Sequence, residues 1–143
     1  MNPLYVDLDV EITTLMETLG LGTVGVDIFN GELPQGTVKG FFIVPSQSPS
    51  PELYIDHEYL VIDFWYRSPY TNEAKAKMRE LYSNFHRAYN MDTANWHIFF
   101  SEALGGVMDM DRDAEGGKLE KLSVQFICRN LNRSQIESRV NMG

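Results

Sequence analysis

Glu58-Tyr59-Leu60-Val61-Ile62-Asp63-Phe64-Trp65-Tyr66-Arg67, followed by Ser68-Pro69-Tyr70-Thr71-Asn72, decides how this chain is read. The first ten residues are rich in β-branched and aromatic side chains and predict one long strand. The next five hold the serine, proline and asparagine of a sharp corner. Beyond them Ala74, Met78, Leu81, Tyr82, Phe85 and Tyr89 recur at helical spacing, which puts all six on one side of a helix running to about Asn90. Ser68 with Pro69 at the first position, or Thr71 one turn later, could cap that helix. The unit is a scaffold and carries no reaction centre.

The totals bound the rest. A chain of 143 residues with 43% hydrophobic content fits one domain with a real core. Its net charge is −8, and Lys and Arg are scattered, with no three together. A protein that grips nucleic acid concentrates them on a face, so sequence-specific DNA or RNA binding is disfavoured. An acidic surface can still lie beside DNA without holding it. The one cysteine, Cys128, can form neither an internal disulfide nor a cysteine-based zinc site. It continues the period-2 face of Leu122, Val124 and Phe126 and reads as a small apolar packer. No signal peptide is visible and no apolar run approaches the length of a membrane span. The expectation is a chain made and folded in a cytosol, without a membrane partner.

Before the long strand, Leu4, Leu8, Ile12, Leu15, Met16 and Leu19 predict a first helix over 4–19, with Asn2 as cap, Pro3 in its first turn and Gly20 and Gly22 at its end. Thr23 to Phe29 alternates Val24, Val26 and Ile28 and predicts a short strand. Val38 to Val44 reads as a buried strand. Pro45 to Pro51, with three prolines and three serines, reads as an exposed loop within one sheet. After the second helix, Trp96, Ile98 and Phe100 alternate against His97, Phe99 and Ser101. Gly105-Gly106 marks a bend, Asp109 to Lys118 a charged turn, and Leu119 to Arg129 the last strand. This order predicts an α+β fold: one mainly antiparallel β-sheet with two main helices packed on one face. Residues 1–130 form the domain and 131–143 a mobile C-terminal tail.

Several stretches invite a chemical reading. Asp109, Asp111, Asp113, Glu115 and Glu120 fall at positions 1, 3, 5, 7 and 12 of a calcium-type loop. Ala114 stands where such a loop needs glycine, and strands flank it where helices belong. An acidic hairpin tip is the plainer reading; a calcium-responsive binding module is the alternative. His57, His86 and His97 lack metal-ligand spacing. Asp63 lies inside an apolar strand, where a buried carboxylate needs a partner. It shares a side with Tyr59, Val61 and Trp65, and Arg67 could pair with it across an open or subunit-contacting face. A hydrolase built on Asp63 or His86 is the weakest reading. No nucleophile elbow or phosphate-binding glycine loop is present. With 17 aromatic residues and no catalytic constellation, the chain points to surfaces made for other proteins.

The ordered landmarks resemble the tail terminator (tail completion, minor capsid) proteins of long-tailed bacteriophages. They are Gly20-Leu21-Gly22, Val26-Asp27-Ile28-Phe29, Gly31-Glu32-Leu33-Pro34, the strand and Pro/Ser loop from Phe41 to Pro51, Tyr66-Arg67, Asn72-Glu73-Ala74, Asp113 to Lys118, and Leu122 to Phe126. The similarity spans roughly residues 8–128. Each motif alone is weak; their order and spacing carry the likeness. One position departs: Gly117-Lys118 stands where the family's Asp-x-x-Gly-Arg pattern has glycine–arginine. The resemblance implies a structural virion protein without enzymatic activity or cofactor. It implies a homo-oligomeric ring, commonly a hexamer, on the head-proximal end of the tail tube. Tail tube protein and head-completion or connector protein are the implied partners, and DNA passes through the centre. The expected interface or lumen residues are Pro49, Pro51, Asp63, Trp65, Arg67, Asp109, Asp111, Asp113, Glu115 and Lys118, with loop 45–57 and turn 109–118 projecting from the sheet.

Overall fold

Two long strands organise the molecule. The computed structural model describes residues 7–45, 50–51 and 58–131. β4 (Glu58–Ser68) pairs antiparallel with β8 (Lys118–Asn130) from Glu58↔Cys128 to Ser68↔Lys118, without a break in register. Because side chains alternate across a strand, the pairing creates two faces. Leu60, Ile62, Phe64 and Tyr66 point one way with Leu122, Val124, Phe126 and Cys128, and all eight are buried. Tyr59, Asp63, Trp65, Lys121 and Ser123 point the other way and are half-buried.

The buried face is covered by α1 (Leu8–Thr18) and α2 (Thr71–Phe85). Ala74, Met78, Leu81 and Phe85 of α2 and Leu8, Ile12 and Met16 of α1 join the sheet in one core. Phe85 packs against Phe64 at 5.5 Å and edge-on to Phe126 at 5.8 Å between ring centres. Each such side chain contributes about 1.5–3 kcal/mol through burial, and truncating Phe85 to alanine would cost about 3–5 kcal/mol.

Around the central pair lie β1 (Ile28–Asn30), β2 (Gly40–Pro45), β3 (Ser50–Pro51), β5 (Ala88–Asp92), β6 (Trp96–Ala103) and β7 (Met108–Met110). Among the described residues they form one eight-stranded sheet of order β1-β2-β4-β8-β6-β5, with β3 on β4 and β7 on β8. Every pairing of these strands is antiparallel except β1 with β2. The fold is α+β, with helices against a mainly antiparallel sheet, as the element order predicts.

Several local expectations are corrected. The second helix ends at Phe85, and Tyr89 lies in β5, 65% exposed. His86 turns to extended backbone, and Arg87 just before β5 and Asn90 within it take left-handed conformations. Ser68 does not cap as the N-cap residue: the helix starts at Thr71 after Tyr70, whose N–H donates to Ser68 Oγ. Val24 and Val26 are exposed, because Thr23 to Ile28 closes on itself as a turn with Thr23 O accepting from Val26, Asp27 and Ile28. β2 is not buried on both sides: Phe41 and Ile43 are buried, Phe42 half-buried and Val44 exposed. Gly40, at φ +153°, lies so close to the Asp27 backbone that a Cβ would stand 3.1 Å from its carbonyl oxygen. A bulge between Ile98 and Phe100 shifts the register of β6, so Ser101 and Ala103 join the buried face. α1 starts at Leu8; the expected cap and first turn at Asn2 and Pro3 lie outside the described residues, as does the expected tail beyond Leu131.

Candidate functional site

At the end of the sheet where β4 runs into its corner, two arginines tie three loops together. Arg67, the last outward residue of β4 before the corner, is 8% exposed. Its Nε donates to Asp113 Oδ2 at 2.6 Å and its Nη2 to Asp113 Oδ1 at 3.3 Å, a two-pronged pair. Its Nη1 donates to the carbonyls of Val38 at 2.5 Å and Thr37 at 3.3 Å. The guanidinium thus joins the loop before β2 to the turn before β8. Arg112 adds the corner: it donates to the carbonyls of Pro69 and Gly116 and to Thr71 Oγ1.

The turn is built to receive Arg67. Asp113 Oδ1 accepts from the backbone N–H of Glu115 at 3.0 Å and of Gly117 at 2.8 Å. Arg67 first, then the Gly117 and Glu115 amides, hold the Asp113 carboxyl down at about 2. The same pair raises the Arg67 guanidinium further above its ordinary value. Gly117 is a glycine because a Cβ there would overlap the Arg67 guanidinium, which its four acceptors hold in place.

The expected site residues divide among several environments. Glu115 is exposed, 4.0 Å from Arg67 Nη2. Asp111 is exposed at the tip of the turn. Lys118 is buried and pairs inward with Asp109 and the Met110 carbonyl. Lys118 therefore anchors the turn from the helix side, while Arg67 anchors it from the opposite face. Pro51 pairs with Glu58 in β3, so the expected loop is partly strand there; Pro49 lies outside the described residues.

Asp63 does not pair with Arg67. Its Oδ1 accepts from Ser123 Oγ at 2.6 Å, and its Oδ2 lies 3.7 Å from Lys121 Nζ. Lys121 also sits over the Trp65 ring at 5.3 Å, and Trp65 stacks on Phe42 at 5.7 Å with ring planes 10° apart. Sequence spacing gave no sign of Ser123, Lys121 or Phe42 as neighbours, because the register between strands decides them.

The acids of the calcium-type spacing are not gathered. Asp113 faces Arg67, Asp109 faces Lys118, and Glu120 is buried on the helix side, its Oε1 without a hydrogen-bond partner among the described residues. Among the described residues no three His, Cys, Asp or Glu side chains group as metal ligands. His86 accepts from the Ala103 amide and stacks on Tyr82, and His97 pairs with Asp92 at 2.6 Å. Tyr66 donates to Glu73 at 3.3 Å; burial, then the Glu73 charge, push its phenol up. Among the described residues no helix is long and apolar enough to cross a membrane. No protein-family model matches the chain and no curated protein matches it.

Proposed function

We propose that this chain is a structural virion protein of a long-tailed bacteriophage, a tail terminator. It caps the head-proximal end of the tail tube as a homo-oligomeric ring, stops tube elongation and offers the docking surface for the head connector. It catalyses no reaction. It is assembled in the host bacterial cytoplasm and resides in the neck of the virion. The observation that carries the reading is the order of the landmarks along one sheet-and-helix unit, from Gly20-Leu21-Gly22 to Leu122–Phe126. Two of them, Tyr66-Arg67 and the Asp113–Lys118 turn, meet in the Arg67–Asp113 pair. Such a clamp fits a part whose loops must keep one shape while other proteins press on them. The net charge of −8 suits a conduit that DNA crosses without being held.

The test is genetic and visual. Inactivating the gene in the phage that carries it should give tail tubes of uncontrolled length without heads. Purified protein added to growing tubes should restore one length and appear as a ring at one end by electron microscopy. Tails of uniform length that join heads without the protein would remove the reading.

A further inference from the structure

We propose that Asn30 is a site of spontaneous covalent modification, where conversion of its side-chain amide to a carboxylate unties α1 from the edge of the sheet. Asn30-Gly31 is the one Asn-Gly pair in the chain. Glycine has no side chain to shield its own backbone nitrogen, so in such a pair that nitrogen can reach the side-chain carbonyl carbon of the asparagine. Asn30 is exposed and ends β1, the edge strand, which pairs only with β2 among the described residues. Gly31 stands at φ +88°, and the space where a Cβ would lie is open. The Asn30 amide also holds a contact: its Nδ2 donates to Asp9 Oδ2, in the first turn of α1, at 2.9 Å.

The reaction needs only water. Gly31 N gives up its proton and bonds to Asn30 Cγ. The bond from Cγ to the side-chain nitrogen breaks, and that nitrogen leaves as ammonia with the proton. Water then opens the five-membered imide, at the side-chain carbonyl to give aspartate or at the main-chain carbonyl to give isoaspartate. Ammonia leaves, water enters, and the chain gains one carboxylate. The fold slows the first step, because the Gly31 N–H donates to the Ile43 carbonyl at 2.8 Å. It does not stop it: a three-residue edge strand bonded on one side opens at far lower cost than the core. Aspartate at this position replaces the donor with a second carboxylate facing Asp9, and the two repel. The N-terminus of α1 favours negative charge, but Asp9 already occupies it. Isoaspartate goes further, since it adds one carbon to the main chain and carries the Gly31 N–H out of register with Ile43.

The experiment follows the full chain by peptide mapping and mass spectrometry at mildly alkaline pH, folded and in urea. In the folded protein Asn30 should convert ahead of the other described asparagines, more slowly than in urea, at a rate that tracks hydrogen exchange of the Gly31 amide. Asn30→Asp should lower the melting temperature by about 2–4 °C and speed amide exchange in the first turn of α1. In an Asp9→Asn background the same substitution should cost nothing, because the hydrogen bond re-forms with donor and acceptor exchanged. Asn30 that stays intact in the folded protein while the chain in urea converts overturns the site. Conversion at Asn30, with Asn30→Asp costing the same in both backgrounds, overturns its effect on α1.

Discussion

Arg67 and Asp113, 46 positions apart in sequence, meet at 2.6 Å with the guanidinium almost withdrawn from water. That one pair sets the geometry of the loop end. The guanidinium's other prong holds the Thr37 and Val38 carbonyls, and the carboxylate's other contacts shape its own turn. Neither loop has much apolar content of its own, so the pair substitutes for a local core.

Acid should loosen this end first. The Asp113 carboxyl stands at about 2 in the folded protein against an ordinary 3.8. Between those values the unfolded chain binds the proton and the folded chain does not. Its contribution is therefore complete above about pH 4 and is lost as pH falls toward 2. Asp113→Asn should lower the melting temperature at neutral pH, and the gap to wild type should narrow across that window. Melting curves by circular dichroism from pH 7 to 2 check this; two curves that stay parallel to pH 2 would exclude Asp113 as a contributor.

Arg67 and Gly117 should behave as one unit. Arg67→Ala removes a buried stem and leaves the Thr37 and Val38 carbonyls without the guanidinium, costing about 1–3 kcal/mol. Gly117→Ala forces a methyl into a guanidinium that cannot move aside, costing about 1–3 kcal/mol. With Arg67 already truncated the methyl has room, so the second substitution should cost far less. A double-mutant cycle in urea reads the coupling directly; additive effects would contradict the steric account.

What was legible in the sequence follows from range. β8 and the buried half of β4 could be read because alternating side chains face one core. α2 could be read to Phe85 because its stripe meets that core. Its end could not: Tyr89 keeps helical spacing from Phe85, yet the left-handed Arg87 turns the chain into β5. Phe100 and the Val24–Val26 alternation misled for a related reason, since a bulge and a closed turn both preserve apolar spacing while changing direction. At the candidate site, Arg67, Asp113 and Asp63 were visible as residues, but their partners were not. Asp63 finds Ser123 and Lys121 only through the β4–β8 register.

Cys128 should be chemically silent while the protein is folded. It lies at 0% exposure in the core, and burial, with the Glu58 charge adding to it, pushes the thiol up to about 12 from 9.0. A thiol-reactive dye at pH 8 should label it only in denaturant, at a rate that follows global unfolding. The folded chain keeps a proton that the unfolded chain loses above about pH 9, so this contribution is present below that pH and fades toward 12. Cys128→Ala should therefore show a shallower alkaline decline than wild type. Rapid labelling in buffer would mean that the core opens there.

Glu11 should matter more than its place on an acidic surface suggests. It is 8% exposed, and its carboxylate accepts from Thr93 Oγ1 at 2.5 Å, the Asn95 amide at 2.7 Å and Asn95 Nδ2 at 2.6 Å. These bonds tie α1 to the β5–β6 turn across the open end of the core. Hydrogen bonds to a charged group contribute about 1.5–3 kcal/mol, and a donor left unpaired adds its own desolvation. Glu11→Ala should thus destabilise by about 2–4 kcal/mol, whereas Glu17→Ala, which removes one exposed bond to the Val24 amide, should cost under about 1 kcal/mol. Hydrogen exchange separates the two: Glu11→Ala should speed exchange at Asn95 and Trp96 beyond the global loss of stability. Equal protection of those amides in both variants would show that α1 is held by its apolar stripe alone.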